Sequence, residues 1–179
     1  MLSVNAELRT AAVLVPVYRD EDGELRVVLV VRADDGGQHG GQLGLPGGKP
    51  ERGDADLLET ALRETEEEIG LARASVEIIE ALEPVETTAT GWRVHPFLGR
   101  IPAGTAWRLQ EREIVGVLTP TVASLADPAG RSRLPFSSIR FVEPLLVDGI
   151  DVDGHVLWGM TLRLLDQLVP RLLAGAWEI

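Results

Sequence analysis

The stretch "GGKPERGDADLLETALRETEEEIGL" (residues 47–71) decides the fold, because a glycine turn leads there into a helical pattern that ends in a run of glutamates. Apolar residues recur every three or four positions from Asp54 to Ile69, which predicts an amphipathic helix. Asp54 is the expected N-cap, and Gly70 is the residue expected to end the helix. The last turns of this predicted helix are unusually acidic.

Three glutamates share one face of the predicted helix. At 100° per residue, Glu64, Glu67 and Glu68 lie within about 100° of one another, away from the apolar stripe. Each like-charged pair at this spacing destabilises a helix by roughly 0.2 to 0.5 kcal/mol, and the negative end of the helix dipole adds to the cost. Arg63, one turn before Glu67, offsets only one of these charges. The run is therefore either a solvated acidic face or a cation site.

The glycine-rich turn "GLPGG" (residues 44–48) favours the cation site. Glycines allow a backbone carbonyl to turn towards the glutamate face, and carboxylate, carbonyl and water oxygens are the ligands that Mg²⁺ and Mn²⁺ prefer. The chain has no cysteine, which excludes disulfides, thiolate zinc sites and thiol nucleophiles. The sequence thus predicts a magnesium or manganese site made from a loop carbonyl and three helical carboxylates.

Composition limits the setting of this site. With 179 residues, 45% of them hydrophobic, the chain can bury one sizeable core, and we expect a single domain over residues 1–179. Neither a secretory signal pattern nor an apolar run of about 18 residues occurs, so a soluble, cytoplasmic protein without membrane contact is expected. The net charge of -11 argues against nucleic acid as a partner.

The rest of the chain alternates predicted strands with a second helix, which indicates an α/β fold with a mixed sheet between helices. The first two strands flank an Asp22-Gly23 turn and should pair as a hairpin. A glycine-rich loop, which we expect to lie outside the core, follows them. The predicted strands are 10–20, 25–32, 74–84, 92–101 and 113–120, the loop is 33–48, the second helix is 155–173, and 120–149 is predicted to be irregular with short strands.

Residues 47–71 resemble the Nudix box, the signature of a family of metal-dependent hydrolases. The second half of the box is filled position by position, whereas the first half is one residue longer than usual and has only Glu51 or Asp54 near its early glutamate. The matching positions are Arg63, Glu64, Thr65, Glu67, Glu68, Gly70 and Leu71. The resemblance implies a Nudix-type α/β/α sandwich.

The longer box is similar to the coenzyme A pyrophosphatase branch of this family, and other segments match the same branch in order. Two departures lie in the motif that marks the branch: Gly37 stands where a second arginine is usual, and Leu45 stands where phenylalanine is usual. The matching segments are Arg32-Ala33, Gly41-Gln42, Pro46-Gly47-Gly48, "GWRVHPFLGRI" (91–101) and "WGMTLRLL" (158–165).

The resemblance implies that water attacks a nucleoside diphosphate linked to another group, with Mg²⁺ or Mn²⁺ as the cofactor. It assigns Glu64, Glu67 and Glu68 as metal ligands assisted by the Gly48 carbonyl, and Arg63 as the residue that orients Glu67. One of these glutamates could instead deprotonate the water. Glu113, just before a predicted strand, is a further candidate carboxylate.

For the substrate, the resemblance favours coenzyme A or a derivative, with Arg32, Gln42 and Lys49 as binding residues. Arg32 could equally end a strand in solvent, and Lys49 could be an ordinary exposed lysine. The alternatives are a Nudix hydrolase for ADP-ribose or nucleoside triphosphates, or a nucleotide-binding Nudix module without turnover. The expected partner is a small nucleotide, and a homodimer is compatible with this reading.

Overall fold

A computed structural model describes residues 8–35, 40–87 and 91–179. The Gly37 departure therefore lies outside the described residues. The strands are β1 Arg9–Arg19, β2 Leu25–Val27, β3 Leu29–Arg32, β4 Leu43–Gly44, β5 Gly47–Gly48, β6 Glu77–Ala81, β7 Val85–Thr87, β8 Trp92–Arg100, β9 Ile114–Leu118, β10 Arg131–Phe136, β11 Leu145–Val152 and β12 His155–Trp158. The α-helices are α1 Leu57–Ile69, α2 Val122–Ala126 and α3 Gly159–Leu173.

The central sheet is mixed, as predicted. Its strand order is β2-β1-β8-β6, with β5 paired to β1 and β7 paired to β8. β1 runs parallel to β8 but antiparallel to β2 and β5. Within the described part of the chain, two three-stranded sheets complete the fold, in the orders β4-β3-β9 and β10-β11-β12.

β1 lies between two hydrophobic cores. Val13, Val15 and Val17 belong to the core that also contains the apolar side of α3. Leu14 points the other way, into a core shared with Ile69 of α1. Because side chains alternate across a strand, this single strand supplies both cores, and the predicted layered α/β arrangement is confirmed.

The predicted strand 25–32 is divided at Val28. β2 pairs with β1 in the expected hairpin, with Val17 opposite Val27. β3 instead pairs with β9 in a different sheet. The Val28 N–H donates to the Pro16 carbonyl at 2.9 Å, where the chain crosses over. Both halves are buried, so a continuous apolar run gives no sign of the break.

Both predicted helices begin later than expected. Asp56, not Asp54, is the N-cap of α1, and its carboxylate accepts from the Glu59 N–H at 2.8 Å. Gly70 ends the helix in a left-handed conformation with φ 72°, as predicted. The first four residues of the segment 155–173 form β12, which pairs with β11.

Of the two predictions of irregular structure, the one for the loop is wrong. The loop 33–48 was expected outside the core, but it contains β4 and β5, and the Leu43 and Leu45 side chains are buried. Residues 120–149 do contain short strands, together with the short helix α2. In the described ranges, none of the helices combines the length and apolar character needed to cross a membrane.

Candidate active site

The glycine turn packs directly against α1 and leaves no room for a side chain at Gly47 or Gly48. β5 pairs with β1, with Ala12 opposite Gly48. Gly47 has φ 146°, and a Cβ there would lie 2.3 Å from the Ala12 carbonyl oxygen. A Cβ on Gly48 would lie 2.4 Å from the Glu64 carboxyl group. The turn therefore presents bare backbone to the acidic face of the helix.

Arg63 connects the turn, the helix start and the acidic face. Its guanidinium donates to both carboxylate oxygens of Asp54, at 2.8 and 3.0 Å, and to the Lys49 carbonyl at 3.0 Å. It also donates to Glu67 at 3.1 Å and lies 3.2 Å from the Glu64 carboxylate. The predicted Arg63–Glu67 ion pair is therefore present, as one part of a larger network.

Asp54 is the site residue that sequence reasoning placed wrongly. It is the bidentate partner of Arg63 and accepts a further hydrogen bond from the Thr60 hydroxyl at 2.8 Å. The Arg63 guanidinium holds the pKa of Asp54 well below its usual range and has its own pKa raised in return. The opposite charges of Asp54 and Arg63 within the longer box could have indicated this ion pair. The sequence did not decide between Asp54 and Asp56 as the N-cap, because aspartate is a competent N-cap at either position.

Glu68 is almost fully enclosed, with 2% of its side chain exposed. One carboxylate oxygen accepts from Arg32 Nη1 and the other from the Gly47 N–H, both at 2.9 Å. Burial raises the pKa of Glu68, while the Arg32 charge and the Gly47 hydrogen bond oppose this shift. Glu68 is thus tied to the glycine turn and to β3.

Glu64 lies beneath Gly48 and next to the other carboxylates. Burial raises the pKa of Glu64; Arg63 opposes the shift, and the charges of Glu67 and Glu113 add to it. Glu113 is exposed and directly precedes β9. The structure brings this predicted carboxylate to the edge of the same acidic cluster.

The donor chemistry of the cluster fits a hard divalent cation. Across the described ranges, no three acidic or histidine side chains are arranged as a ready cation site. Arg32 pairs with Glu68, Arg63 pairs with Glu64 and Glu67, and the Glu67 side chain is largely exposed. The bare face of Gly48 and the mutual repulsion of the carboxylates nevertheless favour a cation among oxygen donors. The predicted ligand set of Gly48, Glu64, Glu67 and Glu68 stays a prediction.

The three predicted substrate residues lie in different settings. Arg32 faces inward, towards Glu68 and the carbonyls of the turn. Gln42 pairs through its backbone, since the Arg32 N–H donates to its carbonyl at 3.0 Å. Lys49 is exposed, and its ammonium lies 5.4 Å from the centroid of the Trp92 ring. Their assignment as substrate residues remains a prediction.

Comparison with known proteins places this arrangement in a family. A model of the NUDIX domain matches residues 8–137. The chain belongs to the Nudix family. A protein described as the uncharacterized Nudix hydrolase NudL of Salmonella newport is 36% identical over 160 residues, covering 89% of this chain and 81% of the relative.

Solved Nudix structures share the fold at low sequence identity. RenU, a Nudix hydrolase from M. smegmatis, aligns with a TM-score of 0.65 at 16% identity and covers 96% of this chain and 89% of its own. The NUDIX domain of Shewanella oneidensis NrtR, solved with ADP ribose, aligns with a TM-score of 0.59 at 18% identity, covering 92% and 88%. As a Nudix hydrolase, the chain is a divalent-cation-dependent enzyme that acts on nucleoside diphosphate-linked substrates.

Proposed function

We propose that this Nudix hydrolase cleaves the pyrophosphate of coenzyme A or a derivative, with Mg²⁺ or Mn²⁺ as the cation. The products are a phosphopantetheine and adenosine 3′,5′-bisphosphate. The supporting observation is that segments resembling the coenzyme A branch meet at one place. A Cβ on Gly44 would lie 3.8 Å from both Arg32 Nε and Thr161 Oγ1.

Three of the matching segments, 32–33, 41–42 and the start of 158–165, are far apart in the sequence but lie together beside Gly44. The Arg32 N–H donates to the Gln42 carbonyl, and the Gly41 N–H donates to the Arg32 carbonyl at 3.2 Å. Thr161 lies in the first turn of α3, in the "WGMT" segment, and its side chain is buried. We infer that these three segments border the substrate and contribute to its selection.

Each polar group of the cluster has a proposed role in the hydrolysis. When bound, the cation neutralises pyrophosphate charge and lowers the pKa of the attacking water. Glu64, Glu67, Glu68 and the Gly48 carbonyl hold it, and Arg63 orients Glu64 and Glu67. One of the three helical glutamates accepts the proton of the water. Glu113 is the alternative base.

We also propose that residues 1–179 form one domain, because the two cores share β1. A single calorimetric unfolding transition is the expected observation. A homodimer remains a prediction, and sedimentation equilibrium would test it by measuring the mass of the protein in solution.

The substrate proposal is tested by specificity constants. Coenzyme A, ADP-ribose and nucleoside triphosphates are compared with Mg²⁺ and with Mn²⁺, and coenzyme A is expected to give the highest kcat/KM. An advantage of about tenfold or more for ADP-ribose or a triphosphate, which is about 1.4 kcal/mol in transition-state stabilisation, would exclude the coenzyme A assignment. If nothing is turned over but a nucleotide binds, the protein is a binding module.

A further inference from the structure

We propose that Arg32 and Glu68 form a clamp on Gly47, so that Arg32 is a positioning residue for the cation site. The resemblance to the coenzyme A branch instead favours Arg32 as a residue that binds the substrate. The inference rests on the proposed cation site for its effect on catalysis, while the clamp itself is a property of the metal-free protein.

The clamp is a closed set of hydrogen bonds around one residue. Glu68 Oε2 accepts from the Gly47 N–H at 2.9 Å, and Arg32 Nη2 donates to the Gly47 carbonyl at 3.2 Å. Arg32 Nη1 completes the ring with its 2.9 Å bond to Glu68 Oε1. Both backbone polar groups of Gly47 are thereby held by side chains from β3 and α1.

The opposite side of the turn is held by β1. The Leu14 N–H donates to the Pro46 carbonyl at 2.9 Å, and Ala12 pairs with Gly48. The turn is therefore fixed between a strand and the clamp. Gly48 directly follows the clamped residue and faces Glu64, so the clamp and β1 together fix where the Gly48 carbonyl lies relative to the acidic face.

The chemistry of the clamp requires a guanidinium. Arg32 serves Glu68 with one nitrogen and the carbonyls of Gly47 and Leu45 with another, the latter at 3.5 Å. A planar fork with several fixed donors can bridge these acceptors, whereas an ammonium presents a single point charge. Loss of Arg32 would leave the enclosed Glu68 carboxylate without its counter-charge.

A positioning role and a phosphate-binding role predict different kinetics. If Arg32 holds the cation site in place, its replacement lowers kcat and cation affinity and leaves KM nearly unchanged. If Arg32 binds the substrate, its replacement raises KM, while cation affinity measured without substrate is unaffected.

The test compares Arg32→Gln with the matched control Arg26→Gln. Arg26 also pairs with a carboxylate, Asp20, and donates to a backbone carbonyl, that of Thr119 at 2.8 Å, but it lies on β2 away from the glycine turn. Mn²⁺ affinity is measured by calorimetric titration in the absence of substrate. It should fall roughly 10- to 100-fold in Arg32→Gln, as for other groups that orient metal ligands, and should not change in Arg26→Gln.

A second readout does not depend on the cation. Hydrogen exchange at the Gly47 amide in the metal-free protein should be slow in the wild type and in Arg26→Gln but fast in Arg32→Gln. Wild-type Gly47 protection and wild-type Mn²⁺ affinity in Arg32→Gln, or an effect confined to KM, would overturn the proposal.

Two further outcomes are decided by the same measurements. If Arg32→Gln does not fold, Arg32→Lys keeps a charge beside Glu68 and should show a partial loss of both properties; full retention of both would overturn the clamp. If the wild type binds no Mn²⁺, the proposed metal-dependent function fails, and exchange at Gly47 still decides whether the clamp exists.

Discussion

At Gly48, the missing side chain leaves the space that faces the Glu64 carboxylate. A single added carbon would lie 2.4 Å from that carboxyl group, well inside any permitted contact. Gly53, in the segment between β5 and α1, offers a contrast because a Cβ there meets open space. Alanine at either position removes backbone freedom, but only alanine at Gly48 also fills the space beside Glu64. Comparing the two substitutions therefore separates these effects.

Gly48→Ala is expected to lower kcat by orders of magnitude, because the methyl group displaces Glu64 from the turn, whereas Gly53→Ala keeps wild-type activity. Both variants should remain folded by circular dichroism. Steady-state kinetics with Mg²⁺ measures the difference. Equal activity in the two variants would show that the face of Gly48 is not part of the site.

The raised pKa of Glu64 predicts how the stability of the metal-free protein depends on pH. A carboxyl whose folded pKa lies above its unfolded value stabilises the fold at low pH, and this contribution is lost as pH rises through the folded pKa. Asp54 acts in the opposite sense and at lower pH, because its pKa is depressed. Added cation should reverse the Glu64 effect, since ligands bind ionised.

Urea unfolding in the presence of a chelator, from about pH 4 to about pH 8, measures this dependence. Glu64→Gln should lose less stability than the wild type as pH rises across the carboxyl range. If the free energy of unfolding depends on pH in the same way for the wild type and Glu64→Gln, the pKa of Glu64 is not raised in the folded protein. Asp54→Asn should instead flatten the loss of stability in more acidic solution.

At the scale of elements, α1 has two aspartates near its start with different tasks. Asp56 caps the helix, whereas Asp54 holds Arg63 and, through it, two of the glutamates. A cap acts on helix stability alone, and a residue in the Arg63 network acts on the geometry of the site. Substitution should separate these tasks.

Asp56→Ala is expected to destabilise the protein by about 1 kcal/mol with little change in kcat, because only the cap is lost. Asp54→Ala should lower kcat by at least tenfold, since Arg63 loses its bidentate partner. Thermal denaturation and steady-state kinetics on both variants provide the comparison. A larger fall in kcat for Asp56→Ala would contradict the division of roles.

Local signals predicted the elements whose causes are local. The Asp22-Gly23 hairpin and the Gly70 helix end follow from turn and cap chemistry, and both are present. The break at Val28 depends on which strand each half meets, which periodicity does not record. The pairing of Arg32 with Glu68 joins residues that only the folded sheet brings together. The glutamate cluster and its Arg63–Glu67 ion pair could thus be predicted, but the Arg32 and Gly47 partners of Glu68 could not.

At the scale of the whole molecule, the acidic cluster lies where the glycine turn, α1 and β3 meet. Gly47 is paired with β1, and β1 supplies both hydrophobic cores. A displacement of β1 would therefore move the turn as well as the packing on both faces of the sheet. The position of the cluster depends on the completed fold and not on any one element.

The parallel pairing of β1 with β8 has a consequence for how the chain is made. Arg9 lies beside Trp92, so the first strand cannot find this central neighbour until all the elements between them have been synthesised. Closing so long a loop costs entropy before any contact repays it, which slows folding. During translation the apolar residues of β1 are therefore made well before that neighbour, and only β2 and β3 follow them closely in the chain. We expect the nascent chain to be prone to aggregation over this interval.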